Sequence, residues 1–98
     1  MTYKVKLAKD VYQDISLLDK KTISIIKKNL KKLEYNPYPG RGIGDKEKLP
    51  INGKERYRMH VGHTWTEFYS ILEDKKEVRI SEILPINEAY KRYGFRKQ

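Results

Sequence analysis

The pattern of hydrophobic and polar positions first predicts a β-strand at the start of the chain. Residues 2–8 alternate, and Tyr3, Val5 and Leu7 are separated by lysines. A period of two places the apolar side chains on one side of an extended strand. The alternation stops after Leu7, so the strand is expected to be short.

Two helices are predicted to follow this strand. Apolar residues recur there at intervals of three and four positions, which is the spacing of one helix face. In the first helix they are Ala8, Val11, Ile15 and Leu18, and in the second Ile23, Ile26, Leu30 and Leu33. Asp19 lies between the two stripes and is a favoured N-cap residue for the second helix. Because the connection is short, the helices are expected to fold back as a hairpin.

The second half of the chain predicts three strands and a short helix. The strands span residues 56–61, 65–72 and 78–84, and tight turns join them, so they are expected to be antiparallel neighbours. Pro85 ends the last strand, and residues 87–93 are expected to form the helix. The segment from Asn36 to Lys54 holds most of the proline and glycine residues and is predicted to be a loop.

These elements predict an α+β fold with two layers. We expect a four-stranded antiparallel sheet with the helical hairpin on one face, in the order β-α-α-β-β-β followed by a short C-terminal helix. The other sheet face is expected to be open to water. The length of 98 residues predicts one domain over residues 1–98.

The run from residue 56 to residue 61 places charged side chains on that open face. Tyr57, Met59 and Val61 would be buried, while Arg56, Arg58 and His60 would lie together on the other side. Two guanidinium groups and one imidazole suit a surface that binds or cleaves a phosphodiester. The alternative is an ordinary solvated face, since half-exposed strands commonly alternate in this way.

The net charge favours a polyanionic partner. The chain has 22 Lys and Arg against 13 Asp and Glu, a formal charge of +9, which favours RNA, DNA or an acidic protein. A lysine-rich surface related only to thermal stability is the alternative. There is no cysteine, no hydrophobic leader and no apolar run of membrane-spanning length, so we expect a cytoplasmic protein without a membrane partner.

If the polyanion is RNA, the candidate chemistry of this surface is cleavage without a metal or other cofactor. Cleavage needs a group that moves the 2′-hydroxyl proton and cations that stabilise the crowded phosphate. His60 fits the first role and Arg58 the second, and no cluster of Asp, Glu and His has the spacing of a metal site. Glu67 is either an extra base beside Arg58 or the ion-pair partner of a neighbouring arginine.

Several segments of the chain resemble the RelE/ParE superfamily of toxins from type II toxin–antitoxin pairs. The resemblance covers almost the whole chain and is densest at residues 48–49, 57–62, 68–71 and 83–90. The run Tyr57–Gly62 is similar to the family's Tyr-Arg-x-basic-x-Gly pattern. Ala89-Tyr90 after Pro85 is similar to the RelE branch in particular.

The resemblance implies a ribosome-dependent mRNA endonuclease that inhibits translation and is neutralised by an acidic, RelB-like antitoxin. It implies catalytic roles for Arg58, His60 and Tyr90. Basic residues near these positions are predicted to contact RNA: Lys48, Lys54, Arg56, Lys91 and Arg92. ParE-like relatives would instead inhibit DNA gyrase.

The chain departs from the RelE pattern at two positions. The arginine of the second late strand falls at Thr66, or at Glu67 with another placement of the preceding loop, and a basic residue of the third falls at Leu84. A substitute cation from Arg56 or Arg92 would allow catalysis. Without one, the chain is a non-enzymatic gyrase inhibitor, a weakened toxin that only binds its antitoxin, or a plain nucleic-acid-binding module.

Overall fold

The computed structural model describes residues 2–39, 46–51, 53–62 and 64–93. Within these ranges the chain forms five strands, three α-helices and a single 3₁₀ turn at Glu73–Lys75. The strands and helices in chain order are β1 (Lys4–Leu7), α1 (Lys9–Ser16), α2 (Lys20–Tyr35), β2 (Lys46–Ile51), β3 (Lys54–Val61), β4 (Trp65–Leu72), β5 (Glu77–Pro85) and α3 (Ile86–Tyr93).

The strands form one mixed sheet in the order β1-β5-β4-β3-β2. Strands β2 to β5 are antiparallel neighbours, whereas β1 pairs with β5 in parallel. The predicted α+β class is confirmed, but the prediction of four antiparallel strands is wrong in strand count and in the direction of β1. The helical hairpin carries the chain from β1 at one edge of the sheet to β2 at the other edge. Because no tight turn joins β1 to β5, these two strands can pair in parallel.

Strand β2 lies inside the segment that was predicted to be a loop. Its sequence contains three charged residues and Pro50, so it lacks the apolar alternation of a half-buried strand. Proline and charged residues are tolerated because β2 is an edge strand of the sheet. The available signal was Asn52-Gly53, a favoured hairpin turn, and Gly53 has a φ of 76°.

The helical hairpin packs on one face of the sheet, as predicted. Val11 and Ile15 of α1 and Ile26 and Leu33 of α2 are buried in the main hydrophobic cluster with apolar residues of the sheet. Asp19 is the N-cap of α2, and its carboxylate accepts hydrogen bonds from the Thr22 backbone and hydroxyl. Among the described residues, none of the helices has the length and hydropathy that crossing a membrane requires.

A carboxylate and two tyrosines fix the chain where it leaves α2. Tyr3 and Tyr38 both donate hydrogen bonds to Glu73, and Lys76 pairs with the same carboxylate. These contacts, with that of Lys76 first, lower the pKa of Glu73 to about 2. Tyr69 donates a buried hydrogen bond of 2.7 Å to the Pro37 carbonyl. The segment after α2 is therefore anchored beside the sheet before β2 begins.

The sheet face opposite the hairpin is not left wholly to water, contrary to the prediction. Helix α3 follows β5 without a loop, packs against β4 and β5, and is tied to the chain before β4 by a 2.8 Å hydrogen bond from the Ile86 N–H to the Thr64 carbonyl. Phe68 and Ala89 are buried but do not belong to the main cluster. We conclude that α3 covers the β4–β5 part of this face, because the apolar side chains of that part also need burial. The β3 part of the face stays accessible.

Candidate functional site

Strand β3 carries a row of basic side chains on the face opposite the hairpin. Lys54, Arg56, Arg58 and His60, which we call the β3 row, alternate with Glu55, Tyr57, Met59 and Val61. The last three are buried, whereas Lys54 is exposed and the rest of the row is half-buried. The predicted alternation is confirmed. It arises because the apolar side chains pack into the main cluster and force the intervening residues to the other face.

Arg58 is paired with a carboxylate that the sequence interpretation missed. Glu47 of β2 lies directly opposite Arg58 in the strand register, and its Oε1 accepts a hydrogen bond from Arg58 Nη2. The side chain of Arg58 is only 14% exposed, against 44% for Glu47. The guanidinium is thus oriented by β2 and has its charge matched locally, rather than projecting freely into water as predicted.

His60 presents only part of its ring to solvent. Its Nδ1 is buried and finds no hydrogen-bond partner among the described residues. The residue as a whole is half-buried. Proton exchange with a bound substrate would therefore use the other ring nitrogen, Nε2.

The two departures from the RelE pattern lie in one line across the sheet with His60. Thr66 is the cross-strand neighbour of His60, and Leu84 is the neighbour of Thr66. Thr66 is almost completely buried, so it offers no charge to a substrate. Both positions where cations were expected are therefore neutral, one directly beside His60 and the other one strand further along the sheet.

Helix α3 brings further predicted residues to the same side of the molecule. Tyr90 is 39% exposed and Lys91 is exposed. The side chain of Arg92, also predicted to contact RNA, lies outside the described residues. Helix α3 contacts β4 and β5, and β4 lies next to β3 in the sheet. The helix is therefore about one strand away from the β3 row.

Lys48 does not join the β3 row. Its register partner is Tyr57, so the side chain belongs to the hairpin side of the sheet. There it forms a 3.0 Å ion pair with Glu55, and the hydrogen bond in this pair raises the pKa of Lys48. The register therefore places Lys48 on the sheet face opposite the β3 row, a separation that its prediction as a loop residue did not show.

Glu67 lies in the core and not beside Arg58. Its register partners are Met59 and Ile83, both buried in the main cluster, and Glu67 itself is fully buried. Neither carboxylate oxygen has a hydrogen-bond partner among the described residues. Burial raises the pKa of Glu67 to about 8. Both expectations, a base beside Arg58 and an ion pair with a neighbouring arginine, are wrong because Glu67 points to the other face of the sheet.

Metal-ligating side chains are scattered over the part of the chain that the structure describes. No three His, Asp or Glu side chains within it lie close enough to hold a metal ion together. The β3 row itself contains one imidazole and no carboxylate. Its chemistry is therefore that of cations and one proton carrier acting on an anionic ligand.

Comparison with solved structures identifies several similar chains. One belongs to the archaeal RelE–RelB complex from Pyrococcus horikoshii OT3, with 31% identity, a TM-score of 0.72, and coverage of 87% of this chain and 96% of that chain. Another belongs to the RelBE2 complex from Mycobacterium tuberculosis, with 15% identity, a TM-score of 0.69 and coverage of 85% and 96%. A third is from the YoeB–YefM complex of Staphylococcus aureus, with 21% identity, a TM-score of 0.65 and coverage of 85% and 95%.

The last two likenesses concern the fold, whereas the first extends to sequence over most of both chains. No protein-family model and no curated protein sequence matches the chain. Residues 57–62 and 83–90 resemble the RelE family in sequence. The fold, the basic β3 row and the 31% sequence identity with the archaeal protein agree with that resemblance. The chain therefore belongs to the RelE-like superfamily of toxins.

Proposed function

We propose that this toxin is a ribosome-dependent mRNA endonuclease that inhibits translation without a metal cofactor. It acts in the cytoplasm as one domain over residues 1–98. The observation that carries this proposal is the β3 row, a line of three cations and one imidazole on an accessible part of the sheet. Such a surface complements a phosphodiester, which needs charge neutralisation and a proton carrier.

Arg58, His60 and Tyr90 take the central roles in this proposal. His60 Nε2 accepts the 2′-hydroxyl proton while the 2′-oxygen attacks phosphorus. The bond to the 5′-oxygen breaks, a 2′,3′-cyclic phosphate forms, and the departing 5′-oxygen takes up a proton from water. Arg58, already oriented by Glu47, stabilises the charge that develops on the phosphate oxygens. Tyr90, 39% exposed on α3, stacks on a nucleotide base and holds it in place.

The remaining basic residues bind the RNA backbone. Lys54 and Arg56 continue the β3 row away from His60, and Lys91 and Arg92 follow Tyr90 on α3. Contacts of this kind fix the register of the strand on the protein and depend on the salt concentration. Arg56 also supplies a second cation beside Arg58. This cation takes the place of those expected at Thr66 and Leu84, whose side chains are neutral.

An acidic antitoxin is the proposed protein partner. The archaeal neighbour is a RelE–RelB complex, and the chain carries a formal charge of +9. A negatively charged partner would bind such a surface rapidly and would neutralise it. The prediction is a small acidic protein from an adjacent reading frame that co-purifies with the toxin and relieves its effect. A neighbour that does neither would contradict it.

Primer extension on mRNA tests the enzymatic proposal directly. The toxin is added to programmed ribosomes and, in parallel, to the same mRNA without ribosomes. We expect new ends within codons only when ribosomes are present. Cleavage of free mRNA would contradict ribosome dependence, and arrest of translation without any new ends would contradict the enzyme.

The second candidate function is non-enzymatic. The chain would either inhibit DNA gyrase in the ParE manner or be a weakened toxin that only binds its antitoxin or nucleic acid. The neutral side chains of Thr66 and Leu84, which lie in line with His60 across the sheet, favour this function, because cations are expected at these two positions in a RelE-type nuclease. Expression would then induce a DNA-damage response, or no toxicity at all, with intact mRNA. The same primer-extension experiment therefore separates the two candidates.

Replacing Glu47 by glutamine is expected to tighten RNA binding. The substitution removes the carboxylate that competes with RNA phosphates for Arg58. Affinity for a single-stranded RNA oligonucleotide should therefore rise about three- to fivefold, the upper end of the range for ion pairs near a protein surface, because Arg58 is partly buried. Fluorescence anisotropy at constant salt concentration measures this change.

The matched control for this prediction is Glu55→Gln. Glu55 pairs with Lys48 on the hairpin side of the sheet, so its substitution changes the net charge equally without freeing a cation of the β3 row. An equal gain in both variants would show that only the net charge matters. No gain in E47Q would remove Arg58 from the proposed RNA site.

A further inference from the structure

A second group of cations lies on the sheet face that carries the β3 row. Lys6 of β1 is the register partner of Arg79 of β5, and Arg79 is also the partner of Ser70 of β4. Arg79 lies between Val78 and Ile80, which are buried in the main cluster on the hairpin side. The side chains of Lys6, Arg79 and Ser70 therefore point to the face opposite the hairpin.

A buried carboxylate holds the two cations in place. Glu77 Oε2 is 2.9 Å from Lys6 Nζ, and Glu77 Oε1 is 3.1 Å from Arg79 Nε. The side chain of Glu77 is 11% exposed, whereas those of Lys6 and Arg79 are 57% and 51% exposed. The hydrogen bond from Lys6 and, after it, that from Arg79 lower the pKa of Glu77, so the carboxylate stays charged. The Arg79 pair uses Nε, so the two Nη groups are able to bind another anion.

These cations continue the β3 row across the sheet. The register of β3 and β4 places Arg56 beside Ser70, one position beyond the terminal pair of the ladder. Arg56, Ser70, Arg79 and Lys6 therefore form a line across four strands, which we call the cross-sheet line. Since neighbouring strands lie about 4.8 Å apart, the line is about 14 Å long from Arg56 to Lys6. Helix α3 starts at the far end of β5, after Pro85, and both Lys6 and Arg79 stay exposed.

The chemistry of the cross-sheet line suits a phosphodiester chain better than a protein segment. The line offers three cations and one hydroxyl to a ligand. Strands β3, β4 and β5 are inside the sheet, so their backbone groups pair with neighbouring strands and do not accept a further strand. An occupant is therefore bound by side chains, through charge and hydrogen bonds to its anionic groups. A chain bound there continues directly into the β3 row, because Arg56 belongs to both.

We propose that the cross-sheet line binds the backbone phosphates of the mRNA on one side of the cleaved bond. The strand passes from Arg58 and His60 to Arg56, and then turns across β4 and β5 towards Lys6. Contacts with phosphates fix the register of the strand and do not depend on its sequence. The inference rests on the proposed function, because it takes the β3 row as the cleavage site.

The salt dependence of RNA binding tests this path. The probe is an oligouridylate of about twelve nucleotides, within the range of site sizes of single-strand-binding folds. Fluorescence anisotropy measures its affinity at several salt concentrations. Arg79→Gln and Lys6→Gln each remove one phosphate contact. Each should therefore lower the slope of log K against log salt by about 0.7 and weaken binding about fivefold at about 0.1 M salt.

Lys21→Gln is the matched control. Lys21 is exposed on α2, which packs on the other face of the sheet, and its loss changes the net charge equally. We expect its slope to match that of the parent protein. The fold of both test variants is expected to persist, because Glu77 keeps one of its two cationic partners in each of them.

A crosslink on programmed ribosomes identifies the RNA that the cross-sheet line contacts. The chain has no cysteine, so R79C and the control K21C each carry a photoreactive group at a single thiol. With R79C we expect a crosslink to the mRNA, at nucleotides on one side of the cleavage position, and with K21C no crosslink to the mRNA. A crosslink of R79C to ribosomal RNA alone would assign the line to the ribosome and overturn the mRNA path.

Two results of the binding experiment would also overturn the inference: no affinity of the parent protein for the oligonucleotide at low salt, or slopes for R79Q and K6Q that equal that of K21Q. An oligoglutamate peptide is measured in parallel. Loss of peptide affinity in R79Q with unchanged RNA affinity would assign the line to an acidic protein.

Primer extension with the parent protein reports on the proposed function separately. Cleavage of mRNA together with an unchanged slope in R79Q would refute the cross-sheet line alone. A slope that depends on Arg79, without any cleavage, would refute the enzyme alone.

Discussion

The double variant R58A/H60A is expected to lose mRNA cleavage almost completely, with a rate about 10³- to 10⁵-fold below that of the parent protein. A positioned proton carrier typically contributes about 10²- to 10⁴-fold, and a donor aimed at the developing phosphate charge about 10²- to 10³-fold. The two effects are not expected to multiply fully, because both residues act on the same transition state. Single-turnover cleavage on programmed ribosomes measures the loss.

Two conservative variants divide the effect between charge and proton transfer. Arg58→Lys keeps the positive charge but not the bidentate geometry, so it should retain more activity than Arg58→Ala. His60→Gln keeps a hydrogen-bonding side chain but cannot move a proton, so it should be nearly as inactive as His60→Ala. Equal activity of His60→Gln and the parent would exclude His60 as the proton carrier.

The fold of R58A/H60A is not expected to fail. Both substituted side chains lie outside the main hydrophobic cluster, and Glu47, which loses its partner, is 44% exposed and can be hydrated. K48A/K75A is the matched control, since it removes two exposed cations outside the β3 row. If R58A/H60A arrested translation as well as this control, the β3 row would not be the active site.

The second large effect is a loss of stability between about pH 4.5 and about pH 8 that depends on Glu67. Its folded-state pKa of about 8 lies above the ordinary value of 4.5, because burial disfavours the charged carboxylate. The favourable contribution of the protonated group is complete below pH 4.5 and is lost as the pH rises through about 8. The difference corresponds to at most about 5 kcal/mol of unfolding free energy.

Glu67→Gln is expected to remove this dependence. The amide has the same shape but does not titrate, so its unfolding free energy should change less between pH 5 and about pH 9 than that of the parent. Glu67→Met, which suits the apolar neighbours Met59 and Ile83, should be more stable than the parent at about pH 9 by roughly 1–3 kcal/mol. Urea unfolding at several pH values measures both differences.

Glu73→Gln provides a control for the Glu67 variants. The pKa of Glu73 is lowered to about 2 by Lys76, Tyr38 and Tyr3, so its contribution to stability is present above about pH 4.5 and is lost only as the pH falls towards 2. Its substitution should therefore leave the loss of stability between about pH 4.5 and about pH 8 unchanged. The same loss in E67Q as in the parent would show that Glu67 is not the group responsible.

The sequence by itself determined the helices, the late strands and the direction of the β3 row. Each is a local property: the spacing of Ile26 and Leu33 defines one face of α2, Asp19 satisfies its first turn, and the alternation from Tyr57 to Val61 selects the side on which Arg58 and His60 lie. Such features depend on neighbouring residues and on the need to bury apolar side chains.

The tertiary structure decided the surroundings of these side chains. Glu47 meets Arg58 only because β2 pairs with β3, and α3 covers part of the sheet only because it folds back over β4 and β5. Strand β4 is buried on both faces, so its sequence did not show that Glu67 points into the core. Strand register and packing between distant segments fix these contacts, and no local periodicity encodes them.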